Sequence, residues 1–155
     1  MNVYVVAVGK LKEPYLRDAI AEYHKRLGRF CRLEVVELAE SKNTSRSPKD
    51  IAKACEEEGE RILAAVRGKV VVLDLSGNEV SSEQLAATVK TSMDKGETLS
   101  FVIGGSDGLS PAVLARADVT VRFGRITLPH QLCRVVLVEQ IYRAFCINAG
   151  VPYHK

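Results

Sequence analysis

Asn2-Val-Tyr-Val-Val-Ala-Val8 is a short, nearly continuous apolar run rich in β-branched residues, the pattern of a strand covered on both faces. From there to the end of the chain, helix alternates with strand. Pro14 stands near a first turn, Leu16, Ala19, Ile20, Tyr23 and Leu27 recur at helical spacing, and Gly28 marks the stop. Residues 30–38 predict a second strand. Residues 40–48 lack any apolar side chain and are expected to form a mobile surface loop, after which Ser47 and Pro48 open a helix to about Val66. Residues 70–75 predict a third strand with a turn at Ser76-Gly77-Asn78, and the capping box Ser81-Ser-Glu-Gln84 starts a helix that stops at Gly96. Residues 99–103 predict a fourth strand, Ser110-Pro111 a short helix, residues 119–123 a fifth strand, and residues 130–148 the last helix.

Such alternation calls for an α/β fold, a parallel sheet with helices on both faces and its functional loops at the strand C-termini. A chain of 155 residues makes one domain, residues 1–155, and at this size folding hides roughly 70% of the unfolded surface. In the last helix, residues 132–138 are apolar on nearly every side, so that helix is expected to be sandwiched or to lie in a subunit interface.

Hydrophobic residues at 46% and charged residues at 26% describe a globular chain. No run approaches the ~18 apolar residues of a membrane span. Its start has neither a basic leader nor a small-residue cleavage site, so a cytoplasmic address is expected. Cys31, Cys55, Cys133 and Cys146 form no Cys-x-x-Cys pair; buried reduced thiols are expected, and no metal. The net charge of +3 is unevenly spread. Residues 10–32 hold seven basic side chains against three acidic, residues 116–155 six against two, and residues 33–115 nine against fourteen. If the two ends meet in space, they make a positive face suited to a polyanion.

Three loops should gather at one rim of the sheet: Leu73-Asp-Leu-Ser-Gly77, Ile103-Gly-Gly-Ser-Asp-Gly108 and Phe123-Gly-Arg-Ile-Thr-Leu-Pro-His-Gln131. Glycines in the second let a ligand come against bare backbone, although a plain structural turn has the same composition. The order Gly-Gly-x-x-Gly is not the dinucleotide fingerprint, which argues against a nicotinamide oxidoreductase, and no phosphate-binding P-loop is present. With Phe123, Ile126 and Leu128, the third loop is too apolar for ordinary surface and is suited to wall a pocket for a flat base. The tail Gly150-Val-Pro-Tyr-His-Lys155 ends in three groups able to exchange protons.

Together these segments resemble the SPOUT class of methyltransferases, specifically the small bacterial pseudouridine methyltransferases of the RlmH family, which act on large-subunit ribosomal RNA. Agreement runs through Val8-Gly9-Lys10, Glu58-Gly-Glu-Arg-Ile62, Leu73-Asp74-x-x-Gly77, Phe101-Val-Ile-Gly-Gly-Ser-x-Gly108, Thr127-x-Pro129-His130-Gln131, Arg134-Val-Val-Leu, Glu139-Gln140-x-Tyr142-Arg143-Ala144 and Tyr153-His154-Lys155. Gly124 stands where the family often has serine and Ile126 where it often has methionine. The resemblance implies a C-terminal deep trefoil knot, a homodimer with the knot at its interface, and S-adenosylmethionine held in the knotted loops without a metal. On this reading Leu73, Gly77, Gly104, Gly105, Gly108, Phe123, Gly124, Arg125, Ile126, Thr127 and Leu128 bind the donor. Tyr153 or His154 takes a proton from the N3 ring nitrogen of a pseudouridine in 23S ribosomal RNA, on the large ribosomal subunit or whole ribosome, while Arg143 steadies charge on the base. A non-catalytic RNA-binding module of the same fold is the alternative, and intact donor loops count against it.

Overall fold

The computed structural model describes residues 1–42 and 45–155. Its elements are β1 (Asn2–Val8), α1 (Pro14–Leu27), β2 (Arg32–Leu38), α2 (Pro48–Ala65), β3 (Lys69–Glu79), α3 (Ser82–Asp94), β4 (Leu99–Ile103), α4 (Pro111–Arg116), β5 (Val119–Arg122) and α5 (His130–Ala149). The strands lie in the order β2-β1-β4-β3-β5, and every pair is parallel. Within the strands, side chains alternate between two buried faces. Val3, Val5, Ala7, Val71 and Phe101 face Leu27, Leu85, Val89, Leu137, Ile141 and Phe145 of α1, α3 and α5. Val6, Val8, Val70, Val72 and Val102 face Ile62 and Val113 of α2 and α4. Each such side chain contributes about 1.5–3 kcal/mol when fully buried, which explains why β1 and β4 are apolar on both sides.

Topology decides which helix goes to which face. The links from β1 to β2 and from β3 to β4 run in one direction along the sheet; those from β2 to β3 and from β4 to β5 run in the other. A constant right-handed crossover then sends α1 and α3 to one face and α2 and α4 to the opposite one. After β5 the chain returns to the first face, where α5 packs against both α1 and α3. The apolar last helix is thus sandwiched within its own chain.

Helix starts match the predicted caps. Ser47 and Ser110 accept from the amides of Asp50 and Val113, each with a proline following, and Ser81 and Gln84 form the reciprocal box. Three strands differ from expectation, the fifth only by ending at Arg122 rather than Phe123. The second begins at Arg32 because the Leu27 carbonyl takes the amides of Phe30 and Cys31 into a closing turn. The third runs to Glu79: after an excursion at residues 74–77 it rejoins β5, pairing Asn78 with Val121 and Glu79 with Arg122. Gly77, expected in a turn, lies there so close to β5 that a Cβ would sit 2.7 Å from the Thr120 carbonyl carbon.

The expected surface loop at 40–48 includes Asn43 and Thr44, which lie outside the described residues; the others in it are exposed or half-buried. Among the described residues no helix is long and apolar enough to cross a membrane. Contact between α1 and α5 brings the two ends of the chain together, but of the basic residues in 116–155 α5 carries only Arg134 and Arg143. Arg134 does not add to a positive face, because it is 1% exposed and bound to Glu37 and to the Gly9 carbonyl.

Candidate functional site

The loops that follow β3, β4 and β5 enclose a cavity of about 400 Å³ at the C-terminal rim of the sheet, a size suited to a small ligand. Leu73, Gly104, Gly105, Gly108, Phe123, Gly124, Ile126, Thr127 and Leu128 line it. Gly77 does not, being packed on the β5 backbone. Nor does Arg125, whose side chain is 88% exposed with Nε 3.9 Å from Glu79. Asp74, Ser106, Arg122, His130 and Cys133 also line the cavity, and residue-type reasoning passes over them. Asp74, Ser106 and His130 sit inside loops that the sequence singles out, so loop position is the usable signal. Among the described residues no three His, Cys, Asp or Glu side chains are grouped to hold a metal ion.

Glycine shapes the wall for specific reasons. At Gly104 a Cβ would press to 2.7 Å from Leu109 Cδ2, while Gly124 has φ of +117°, a conformation costly for other residues. Bare main chain therefore faces the cavity between apolar side chains. Leu75 and Ile126, beside this opening, are 56% and 72% exposed.

The segment Glu58-Gly-Glu-Arg-Ile62 on α2 holds the β4 loop from behind. Glu58 is buried; its Oε1 accepts the Ser41 amide at 3.1 Å, and its Oε2 would lie 3.2 Å from a Cβ at Gly105. Burial pushes this carboxyl above its ordinary value, with Glu40 and Asp107 adding to the rise against the Ser41 amide and Arg61. A Cβ at Gly59 would collide with Ser110 Oγ. Arg61 donates to the Ala39 carbonyl at 2.8 Å and to Ser41 Oγ at 2.9 Å, and Arg46 lies 3.2 Å from Asp107.

The tail is ordered elsewhere on the molecule. Gly150, with φ of +67°, ends α5 and turns the chain back, so that Tyr153 packs edge-on against Tyr142 at 4.8 Å. Arg143 lies over the Tyr153 ring and binds Glu139 at 2.6 Å. The Tyr153 hydroxyl donates to Glu139 at 3.0 Å, and burial, followed by its hydrogen bonds with Tyr23 and Glu139, raises its pKa. Arg143 Nη1 meets His154 Nδ1 at 3.2 Å, and His154 Nε2 meets Glu83 at 2.8 Å. A guanidinium only donates, so Nδ1 accepts and Nε2 carries the hydrogen given to Glu83. The structure therefore brings Tyr153, His154 and Arg143 together, but none of them lines the cavity. His130 and Cys133 line it from the first turn of α5, and Arg143 lies some three turns further on, about 15–20 Å along the axis.

A family model described as "Predicted SPOUT methyltransferase" matches residues 1–154. The chain belongs to the SPOUT methyltransferase family. This SPOUT chain is 52% identical over 159 residues to "Ribosomal RNA large subunit methyltransferase H" of Ligilactobacillus salivarius, covering 100% of both chains. A protein of the same name from Levilactobacillus brevis is 52% identical over 161 residues, and one from Streptococcus pneumoniae 51% over 159, again with complete coverage of both chains. Among solved structures, a methylase-family protein from Neisseria gonorrhoeae superposes with a TM-score of 0.55 at 14% identity, covering 91% of this chain and 81% of that one. At that identity the superposition speaks to the fold alone.

Proposed function

We propose that this chain transfers the methyl group of S-adenosylmethionine to the N3 ring nitrogen of a pseudouridine in 23S ribosomal RNA, on the large subunit or the assembled ribosome, as a homodimer with a C-terminal trefoil knot. One observation supports this above others: a bare-backbone, apolar-walled cavity at the sheet rim, in a chain half identical over its full length to proteins named ribosomal RNA large subunit methyltransferase H. The donor supplies an electrophilic sulfonium methyl. The residues at Leu73, Gly104 and 123–128 have to hold it and exclude water, so that donor and acceptor meet in line.

Proton handling falls to the tail. His154 has both ring nitrogens engaged, so its contact with Arg143 must open before Nδ1 accepts a proton from the base; Tyr153, held protonated, would first have to pass its own proton to Glu139. Arg143 would then stabilise charge on the base oxygen. Because the tail sits well away from its own chain's cavity, the tail of a second copy completes the site. The exposed Leu75, Ile126 and Leu132 near the cavity supply apolar surface for that contact. RNA phosphates would rest on the basic side chains of α1, giving salt-dependent binding.

Calorimetric titration with S-adenosylmethionine is expected to show saturable binding, and assembled ribosomes with labelled donor to show incorporation. Removal of Tyr153, His154 and Lys155 should abolish incorporation while leaving donor binding within about twofold, since no tail residue lines the cavity. Full activity of the truncated chain, or no incorporation by the unaltered one, would contradict the proposal.

A further inference from the structure

Asp74 is an acidic group on the cavity wall, at the point where β3 leaves its register with β5. Its Oδ2 accepts the Ser76 amide at 2.9 Å and the Ser76 hydroxyl. These contacts orient the carboxylate without neutralising it. No cation among the described residues forms an ion pair with Asp74. The other formally charged lining side chain, Arg122, has its guanidinium 3.4 Å from Glu79. His130 and Cys133 are the remaining titratable groups of the lining. Among mainly apolar walls the cavity thus holds one carboxylate that forms no ion pair, while the cation beside it, Arg122, is paired with Glu79. Asp74 is itself half-buried and the next residue, Leu75, is 56% exposed, so this carboxylate stands where the cavity wall meets solvent.

We propose that Asp74 makes the cavity prefer the cationic methyl donor over the neutral sulfide left behind, so that methyl transfer itself weakens the hold on the spent donor. This rests on the reading that the cavity takes S-adenosylmethionine. In the transfer, the sulfur–methyl bond breaks and a nitrogen–methyl bond forms. The sulfur keeps the electron pair and loses its positive charge, and the ring nitrogen gives its proton to the tail base. Adenosine and amino-acid portions are the same before and after, so apolar walls and main-chain hydrogen bonds grip both forms alike. The charge at sulfur is what changes, and a fixed carboxylate facing it is the group that senses the change. Screening at a half-buried position keeps the expected discrimination near tenfold.

Asp74→Asn keeps an oxygen for the Ser76 contacts and removes the charge. Calorimetry on the full chain with S-adenosylmethionine and with S-adenosylhomocysteine reads the effect. Expected is about a tenfold loss for the first and less than a twofold change for the second. For the unaltered chain, rising sodium chloride should weaken binding of the sulfonium more than that of the sulfide, a comparison that needs no variant. Equal losses for both ligands would overturn the proposal, because Asp74 would then be reading a shared group or only shaping the loop. An unchanged ratio with parallel salt dependence would overturn it too. If the unaltered chain binds neither ligand, the reading of the cavity fails and this inference falls with it; a normal wild-type titration with an indifferent variant removes the inference alone.

Discussion

Glu58 has its carboxyl raised chiefly by burial, forms no ion pair among the described residues, and is pressed between the Ser41 amide and Gly105. A native carboxyl raised above its unfolded value of about 4.3 binds its proton more tightly when folded. Its contribution to stability is therefore complete below that pH and is lost as the pH rises through the raised native value. Glu58→Gln keeps an acceptor for Ser41 and never ionises. It should melt higher than the native chain at pH 7.5, with the advantage gone near pH 4, and thermal unfolding at both pH values checks this. Residue-level reading of the sequence finds nine of the lining positions because glycine and greasy loop residues advertise themselves. It also names Gly77, where the same glycine signal has another cause: β5 backbone occupies the space a side chain would need. Arg125 is drawn in by its neighbours and points to solvent. Cys133 escapes it because it belongs to a helix, and only the folded chain shows that the first turn of α5 closes the cavity.

At the scale of elements, α2 acts as a brace behind the β4 loop, and its tolerance is set by the contact of Gly59 with Ser110. Ser110 cannot simply turn away, since its Oγ accepts the Val113 amide at 3.3 Å and starts α4. Gly59→Ala should accordingly cost about 1–3 kcal/mol through overpacking and a lost cap, measured by urea denaturation. A cost well below that range would mean that α2 and α4 separate freely. Helix starts are legible because serine followed by proline, or by glutamine three residues on, states a local hydrogen-bond pattern in its own sequence. The excursion at 74–77 is not. Its two ends are set by pairing with β5, more than forty residues later, and nothing local distinguishes it from a turn.

For the molecule as a whole, the α/β architecture is readable from alternation, whereas the separation of tail and cavity is not, because it depends on α5 lying along its own sheet as a 20-residue rod. That separation makes a trans arrangement testable. One variant lacks Tyr153, His154 and Lys155; the other carries Gly104→Leu, whose side chain would run into Leu109 and the cavity. Each alone should be inactive, with thermal unfolding showing that both remain folded. In the proposed homodimer, the two variants co-expressed under separate tags and purified as a mixed pair would leave one cavity facing one intact tail across the two-fold axis. Such a dimer has one working site of two and should recover about half of native activity. If cavity and tail instead work within one chain, no subunit of the mixed dimer has both and activity stays at background. Recovery by the mixture, together with silence of the separate variants, is the outcome the proposed trans site requires, the tail being anchored some three turns of α5 away from its own chain's cavity.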